Sequence, residues 1–367
     1  GQPASMATVT QPRGYDTRTK KQIEELLAME ESSSSDSEAG APVGGHFIGL
    51  AVLGAVLAFA AGWVGACLVQ MLHRDQPSFT PHPEGPAKPD PGAIGWQTSG
   101  ATVGGSHWCQ AGVPAEGWGL RHCDAASPSA EALRVRTLTY NLFWWNLFLQ
   151  RKGNHSSAGR LIAKAAQAEP FDVMGFQECN DVGRVLRDAQ EAGLKGAWRT
   201  VGPANPVAGA VVIVWRDDLW QTMNFGLVDV AEDSPQEFWG TRFVAFVRLS
   251  HRKTSRKLFV MSHHGPLPMK GPGGGLCGAE ATAYNILKVI GYHAQPGDSI
   301  VLLGDFNAGR DSDTVKSLTH FLDHVFSGLS FGGVDNVFAA CATVVETKNL
   351  GPGGSDHDAL SVTFQLG

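Results

Sequence analysis

From residue 134 to the C-terminus, short apolar stretches alternate with polar turns, which is the pattern of a sheet-rich domain. The predicted strands are rich in Val, Ile, Leu and Phe and cover residues 135–141, 172–177, 210–215, 243–249, 258–262, 299–303, 334–339, 343–346 and 359–364. Apolar residues three and four positions apart predict helices over residues 158–168, 182–192, 279–292 and 313–325. The basic run 252–257 lies between two predicted strands, so it predicts a hairpin turn.

The first 133 residues follow a different pattern. Residues 1–46 are polar and predict a disordered tail. Residues 47–72 carry no charge, and a helix of that length spans roughly 39 Å, so we expect a single transmembrane helix there. Residues 73–133 are rich in Pro and Gly and predict a linker to the domain at 134–367. Helix pairing in the membrane is an open possibility because small residues recur at four-residue spacing, at Gly54, Ala58, Gly62 and Ala66.

The side of the membrane on which the domain lies is weakly encoded. Arg74 and Lys88 follow the apolar segment, which by the positive-inside rule favours a cytoplasmic domain. In the other direction, Cys109 and Cys123 are close enough in sequence to form a disulfide, and Asn154 begins a glycosylation sequon. We expect a lumenal or extracellular domain, with the cytoplasmic orientation as the alternative.

Composition and charge reduce the number of function classes that fit this chain. Hydrophobic residues make up 43% of the chain and charged residues only 17%, which excludes a largely disordered protein. The net charge is -6, yet residues 134–367 hold 22 basic and 22 acidic residues and are neutral overall. A neutral domain argues against charge-driven binding to duplex nucleic acid, which depends on many phosphate contacts. Turnover of a phosphate ester stays open.

Polar residues recur at or just beyond the ends of predicted strands, and two of them, Asp356 and His357, come directly before the last predicted strand. Strands that point the same way would bring these residues to one edge of a sheet. They include carboxylates, amides and imidazoles, namely Asn141, Glu178, His263, Asp305, Asn307, Asp356 and His357. Carboxylate oxygens suit a hard divalent cation, Mg2+ or Mn2+, which binds phosphate oxygens. Zinc fits less well, because the chain has no HExxH motif and no Cys pair at ligand spacing.

Six short motifs of the domain resemble those of the endonuclease/exonuclease/phosphatase superfamily, in family order over residues 134–367. They are LTYNL at 138–142, FDVMGFQE at 171–178, SHH at 262–264, LGDFNA at 303–308, GVDNVF at 333–338 and GSDHDAL at 354–360. The superfamily includes deoxyribonuclease I and neutral sphingomyelinases. The resemblance implies a four-layered α/β sandwich, with two mixed β-sheets packed face to face and helices outside.

The resemblance also implies roles for single residues. By position, Glu178, Asp356 and Asn141 match the metal site, and Asn141 and Arg242 match phosphate contacts; for Arg242, a structural ion pair is an equal alternative. His357 matches the general base and Asp335 the carboxylate that orients it. Asp305 and Asn307 match the pair that positions the nucleophile and stabilises the transition state. Of two adjacent histidines, the Ser/Thr-His pattern favours His263 over His264 as the phosphate contact.

The expected activity is metal-dependent hydrolysis of a phosphodiester, in nucleic acid or in a phospholipid headgroup, at a membrane-anchored site. The stretch 207–209 lacks the carboxylate that deoxyribonuclease I uses before a central strand, which weighs against activity of that type. Three alternatives stay open: a sphingomyelinase-type lipid phosphodiesterase, a phosphomonoesterase, and a non-catalytic binding or assembly subunit that kept the fold.

Overall fold

The computed structural model describes residues 96–97, 112–114, 132–143, 156–203, 210–233, 241–267 and 277–367. The predicted tail at 1–46, the apolar segment at 47–72, Cys109, Cys123 and Asn154 lie outside the described residues, and so do most residues of the predicted linker. Within the described ranges, no helix has both the length and the apolar character needed to cross a membrane. The predicted anchor therefore stays a prediction.

The bounds of the elements follow most of the sequence pattern. In chain order the strands are β1 (Trp96–Gln97), β2 (Val113–Pro114), β3 (Leu133–Asn141), β4 (Val173–Gln177), β5 (Trp198–Val201), β6 (Val212–Arg216), β7 (Trp220–Glu232), β8 (Thr241–His251), β9 (Lys257–His264), β10 (Ser299–Asp305), β11 (Asp323–Ser327), β12 (Asp335–Ala340), β13 (Ala342–Asn349) and β14 (Leu360–Leu366). The helices are α1 (Ser157–Ala165), α2 (Val182–Glu191), α3 (Ala279–His293) and α4 (Asp313–Thr319). The turn predicted over the basic run 252–257 is confirmed, because it joins β8 to β9.

Two six-stranded mixed sheets form the domain. Sheet I has the order β13-β14-β3-β4-β6-β5, and sheet II has the order β11-β12-β10-β9-β8-β7. Each sheet has a parallel pair at its centre, β3 with β4 and β9 with β10, flanked by antiparallel partners. Strands β1 and β2 form a separate antiparallel pair in the region predicted as linker.

Three apolar clusters arrange these elements in four layers. The first fills the space between the two sheets, with Val173 and Val362 from sheet I facing Val260 and Val301 from sheet II. The second packs α1 and α2 on the outer face of sheet I, and the third packs α3 and α4 on sheet II. The predicted sandwich of two mixed sheets is confirmed.

The sheets approach closely at Gly175 in β4. A Cβ atom there would lie 2.0 Å from Leu303 Cδ1 and 2.9 Å from Ser262 Oγ, so only glycine fits. Two residues further along β4, Gln177 donates a hydrogen bond of 3.0 Å to Ser262 Oγ in β9. This buried polar contact joins the two sheets directly below the strand ends that carry the candidate chemistry.

Besides the short pair β1 and β2, the sequence pattern missed strands β5, β7 and β11, and it carried one predicted helix into β11. The helix expected over 313–325 ends at Thr319, and Asp323–Ser327 instead pairs with β12. Tertiary pairing overrides the local helical pattern here. Strands β5 and β7 were missed because they lie at the edges of their sheets and expose much of their surface, which removes clean apolar alternation.

Candidate active site

The predicted convergence of strand ends occurs at one end of the sandwich. β3 and β4 finish there in sheet I, and β9 and β10 finish there in sheet II. β12 and β14 run antiparallel to their neighbours and therefore begin at this end, with Asp335 directly opposite Asp305. The site is thus assembled from both sheets.

His357 and Asp335 form a buried pair across the two sheets. His357 Nδ1 lies 2.9 Å from Asp335 Oδ2, and the backbone N–H of His357 donates to Ser355 Oγ. Its other ring nitrogen, Nε2, lies 3.7 Å from Asp305 Oδ2 and 3.9 Å from Asp356 Oδ1. An imidazole held by a carboxylate on one nitrogen, with the other nitrogen facing the site, is the arrangement of a general base.

Asn141 and Glu178 close the sheet I side of the cluster. Asn141 Nδ2 donates to Asp305 Oδ2 at 2.9 Å and to Glu178 Oε1 at 3.3 Å. Its Oδ1 accepts from the backbone N–H of Phe143, so the side chain presents a donor and not an oxygen to the cluster. A metal ligand must offer the oxygen. Asn141 therefore turns its Nδ2 donor toward the carboxylates and its oxygen toward the backbone of Phe143, which is not the orientation expected of a metal ligand.

Backbone strain concentrates around the site. Glu178 has a φ of 51° and Asn307 a φ of 47°, both in the left-handed region that non-glycine residues rarely adopt. Such conformations persist at functional sites when the surroundings enforce them. For Asn307, its backbone N–H donates to Asp305 Oδ1 at 2.8 Å and its side chain donates to Gly265 O at 2.9 Å. The backbone of Asn307 thus holds the Asp305 carboxylate in place, and its side-chain amide is bonded to the backbone of Gly265.

His264, and not His263, faces the carboxylates. His264 Nε2 lies 3.5 Å from Asp305 Oδ2 and 3.8 Å from Glu178 Oε1. His263 lies on the other face of β9, where its Nδ1 contacts Phe243 O at 3.1 Å and its ring packs edge-on against Phe306. Successive side chains of a strand point to opposite faces, so only one of the two can reach the site. The expectation that favoured His263 is corrected: in the structure, His264 is the one of the two histidines that faces the carboxylates.

Arg242 is a buried ion-pair partner. Its Nε donates to Asp233 Oδ2 at 2.9 Å, and both side chains are almost completely buried. Its NH1 lies 3.4 Å from His264 Nδ1, behind the histidine as seen from the carboxylates. Arg242 therefore lies in a buried ion pair, as in the alternative interpretation, and not in the position expected of a phosphate contact. Asp233 carried no motif and was missed.

The two histidines of the cluster have opposite pKa shifts. Burial alone would lower the pKa of His357, but the hydrogen bond with Asp335 and the charge of Asp305 raise it to about 9. Burial, and then the charge of Arg242, lower the pKa of His264 to about 3. Burial also raises the pKa of Glu178 to about 7. Titratable groups pushed apart in this way are typical of sites that move protons.

The donor set can hold a divalent cation. Ligand-type atoms of Asp305, Asp335 and His357 lie within 4.8 Å of one another. Since His357 Nδ1 is already bonded to Asp335, the oxygens of Asp305, Asp356 and Glu178 are the better ligands, and oxygen is what Mg2+ prefers. A buried cluster of carboxylates with few opposing charges favours a bound cation on electrostatic grounds.

Phe331 is a feature of the site that the sequence pattern did not reveal. Its ring centroid lies 4.8 Å from that of His357, and 61% of the residue is exposed. Its φ of 48° is again in the left-handed region. The only signal in the sequence is an aromatic residue before two glycines in a turn, which by itself is not informative.

These features define a phosphoesterase-type site at the end of a two-sheet sandwich. A family model described as the endonuclease/exonuclease/phosphatase family matches residues 143–357. The chain belongs to this family, whose members are phosphoric ester hydrolases. No curated protein sequence matches the chain significantly.

Solved structures share the fold at low identity. An endonuclease/exonuclease/phosphatase family protein from Bacteroides thetaiotaomicron has a TM-score of 0.52 at 18% identity, covering 65% of this chain and 97% of its own. A family protein from Bacteroides vulgatus has a TM-score of 0.50 at 14% identity, covering 64% and 100%. A mannosyl-6-phosphatase from Bacteroides thetaiotaomicron has a TM-score of 0.50 at 19% identity, covering 62% and 98%. At such identities the likeness shows the fold alone.

Proposed function

We propose that the chain is a divalent-metal-dependent phosphodiester hydrolase. The observation that carries the proposal is the orientation of His357, whose Nδ1 is fixed by Asp335 at 2.9 Å while Nε2 faces Asp305 and Asp356. A base in this position can take a proton from a water molecule that attacks phosphorus from the carboxylate side. The contacts among these residues also speak against a non-catalytic subunit, for which no such geometry is needed.

Each residue has a defined task in this proposal. Glu178 and Asp356, with Asp305 beside them, would hold Mg2+ or Mn2+, which neutralises charge on the phosphate when bound. His357 takes the proton of the attacking water at Nε2. Asp305, as a carboxylate, orients that water, and Asn141 donates to a phosphate oxygen through Nδ2. The leaving oxygen takes its proton from solvent water, and the proton on His357 is released to solvent.

The pKa of His357 determines which protonation state it has near neutral pH. At about 9, it leaves His357 mostly protonated near neutral pH when the carboxylates carry their charge alone. A general base must be deprotonated to act. Positive charge bound by the same carboxylates offsets the charge that raises this pKa, so the proposal requires the cation for His357 as well as for the phosphate.

Hydrolysis of bis(p-nitrophenyl) phosphate by the full chain tests the proposal. We expect activity with Mg2+ or Mn2+, none with EDTA, and a loss of at least about 100-fold in His357→Ala and Glu178→Ala. His320→Ala and Glu280→Ala remove the same residue types at exposed positions and serve as controls. Full activity in EDTA, or in both site variants, would refute the proposal. p-Nitrophenyl phosphate in parallel tests the phosphomonoesterase alternative.

The substrate class follows from charge. Residues 134–367 have no net charge, which supports a substrate other than duplex nucleic acid, because duplex binding needs many contacts to phosphates. With the predicted anchor at 47–72, this favours a phospholipid headgroup, as in a sphingomyelinase-type enzyme, while short or single-stranded nucleic acid is the competing class. A panel of sphingomyelin vesicles, single-stranded DNA and RNA, each with Mg2+ and with EDTA, separates them.

We further propose that the domain lies on the lumenal or extracellular side of the membrane. Cys277 and Cys341 are disulfide-bonded, and disulfides persist in oxidising compartments. Cysteine labelling of intact cells before and after reduction tests this. Reduction by a membrane-impermeant reagent should expose both thiols if the domain is extracellular, whereas two thiols that are free without reduction would support the cytoplasmic alternative.

A further inference from the structure

A buried pair behind the cluster bears on the chemistry of the site. Arg242 in β8 bonds Asp233 through Nε at 2.9 Å and reaches His264 Nδ1 through NH1 at 3.4 Å. Asp233 uses its other oxygen, Oδ1, to accept from the backbone N–H of Leu267 at 2.9 Å. Asp233 therefore holds the Arg242 guanidinium on one side, and the backbone of Leu267, three residues after His264, holds Asp233.

The chemistry of arginine determines which nitrogen of His264 carries the proton. A guanidinium has five N–H donors and no acceptor. Its contact with His264 Nδ1 can be a hydrogen bond only if Nδ1 is the acceptor, and a proton there would point at another donor. The proton of the ring therefore sits on Nε2, the atom 3.5 Å from Asp305 Oδ2 and 3.8 Å from Glu178 Oε1.

We propose that Arg242 and Asp233 are positioning residues that hold His264 as a hydrogen-bond donor, through Nε2–H, directed at the phosphate of the substrate. This inference rests on the proposed function for the identity of the substrate. Arg242 itself does not touch the substrate; it acts through His264. The donor is fixed before substrate binds, which is the condition under which such a group stabilises developing charge.

A structural role is the competing explanation, and the chain offers a matched control. Arg248 lies six residues further along the same strand and bonds Asp298 through Nε at 2.7 Å and NH2 at 2.9 Å. It is also a buried Arg–Asp pair, but six residues of strand place it roughly 20 Å from Arg242. Arg248→Gln should cost stability without affecting His264.

The experiment uses the full chain with 15N-labelled histidine, and His264→Gln identifies the signals of His264 among the thirteen histidines. In the unsubstituted chain we expect an unprotonated Nδ1 and a protonated Nε2. Arg242→Gln should mix the two tautomers and lower kcat about 10- to 100-fold, with KM changed less than about threefold, because a misplaced donor weakens the transition state more than substrate binding. Arg248→Gln should retain both the tautomer and kcat within about twofold at a temperature where all variants are folded.

Arg242→Lys keeps the proposal testable if Arg242→Gln fails to fold. Lysine preserves a charge for Asp233 but lacks the fork that serves two partners. A structural ion pair would be rescued in both stability and kcat, whereas a positioning role predicts rescued stability with a mixed tautomer and low kcat. A proton on Nδ1 in the unsubstituted chain, or an unchanged tautomer in both Arg242 variants, would overturn the inference. Because the tautomer is read without turnover, an inactive but correctly protonated chain would refute the proposed function alone.

Discussion

His357 Nδ1 lies 2.9 Å from Asp335 Oδ2, although the histidine precedes a strand of sheet I and the aspartate begins a strand of sheet II. The proposed general base and the group proposed to orient it therefore come together only when the two sheets are packed. The same holds for Asn141, which donates to Asp305 across the same interface. The geometry of the proposed active site depends on the packing between the two sheets.

Asp335→Asn tests the pair through the pH dependence of kcat. The charge and hydrogen bond of Asp335 raise the pKa of His357, so their removal lowers it. Since the base acts when deprotonated, the rising limb of kcat against pH should move to lower pH, while the maximal kcat falls by about 100-fold or more because the ring loses its orientation. Asp323→Asn, at an exposed position, is the control. A rising limb that stays in place or moves to higher pH would contradict the assignment.

The two adjacent histidines should respond differently to substitution. His264→Ala removes the donor that faces Asp305, so we expect kcat to fall by about 100-fold, a larger effect on kcat than at His263. His263→Gln disturbs the contacts with Phe243 O and the Phe306 ring, so we expect a stability loss of about 1–3 kcal/mol and a smaller effect on kcat. Denaturant unfolding and steady-state kinetics on both variants measure this, and the reverse ranking would restore His263 as the site residue.

Gly175→Ala should destabilise the domain by about 2–4 kcal/mol, because the added Cβ would lie 2.0 Å from Leu303 Cδ1 and force the sheets apart. Gly183→Ala in α2 is the matched control, since its Cβ would meet only the ends of the Arg187 and Asp181 side chains. Helix propensity favours alanine there, so stability should stay equal or rise by about 0.5–1 kcal/mol. Equal effects at the two sites in urea unfolding would show that the close approach of the sheets is not energetically important.

Phe331 should show a trade between stability and activity. Phe331→Gly relieves the positive φ of 48° and should stabilise the fold by about 1 kcal/mol. It also removes the ring that covers His357, so we expect a lower kcat/KM. Phe331→Ala removes the ring but keeps the unfavourable φ, and should lose activity without gaining stability. Thermal unfolding and kinetics of the pair check this; a glycine variant no more stable than the alanine variant would contradict the strain argument.

The sequence predicted the site better than it predicted its orientation. Motif order singled out Glu178, Asp305, Asp335 and His357, and the structure brings these four side chains together at the strand ends and strand starts of one end of the sandwich. The prediction favoured His263, whereas His264 faces the carboxylates. Which of the two faces the site depends on the register of β9, and this register is set by pairing with β8 and β10 and not by the motif.

Contacts between one predicted element and another segment of the chain were the least predictable. Asp233 is nine residues from Arg242 with other charged residues nearby, so nothing local identified it as the partner. The helix predicted over residues 313–325 overlaps β11, because the segment Asp323–Ser327 pairs with β12 instead of continuing the helix. Pairing partners decide such cases, and a pattern along one segment does not contain them.

The hydrogen bond between Gln177 and Ser262 has a consequence for how function is lost. It joins sheet I to sheet II directly below the site. Since both sheets contribute side chains to the site, neither sheet alone can assemble it. Partial melting of either sheet should abolish turnover even while the other sheet keeps its secondary structure. Enzymatic activity is then a reporter of the integrity of the whole domain, and its decline in denaturant should coincide with the loss of the packing between the sheets.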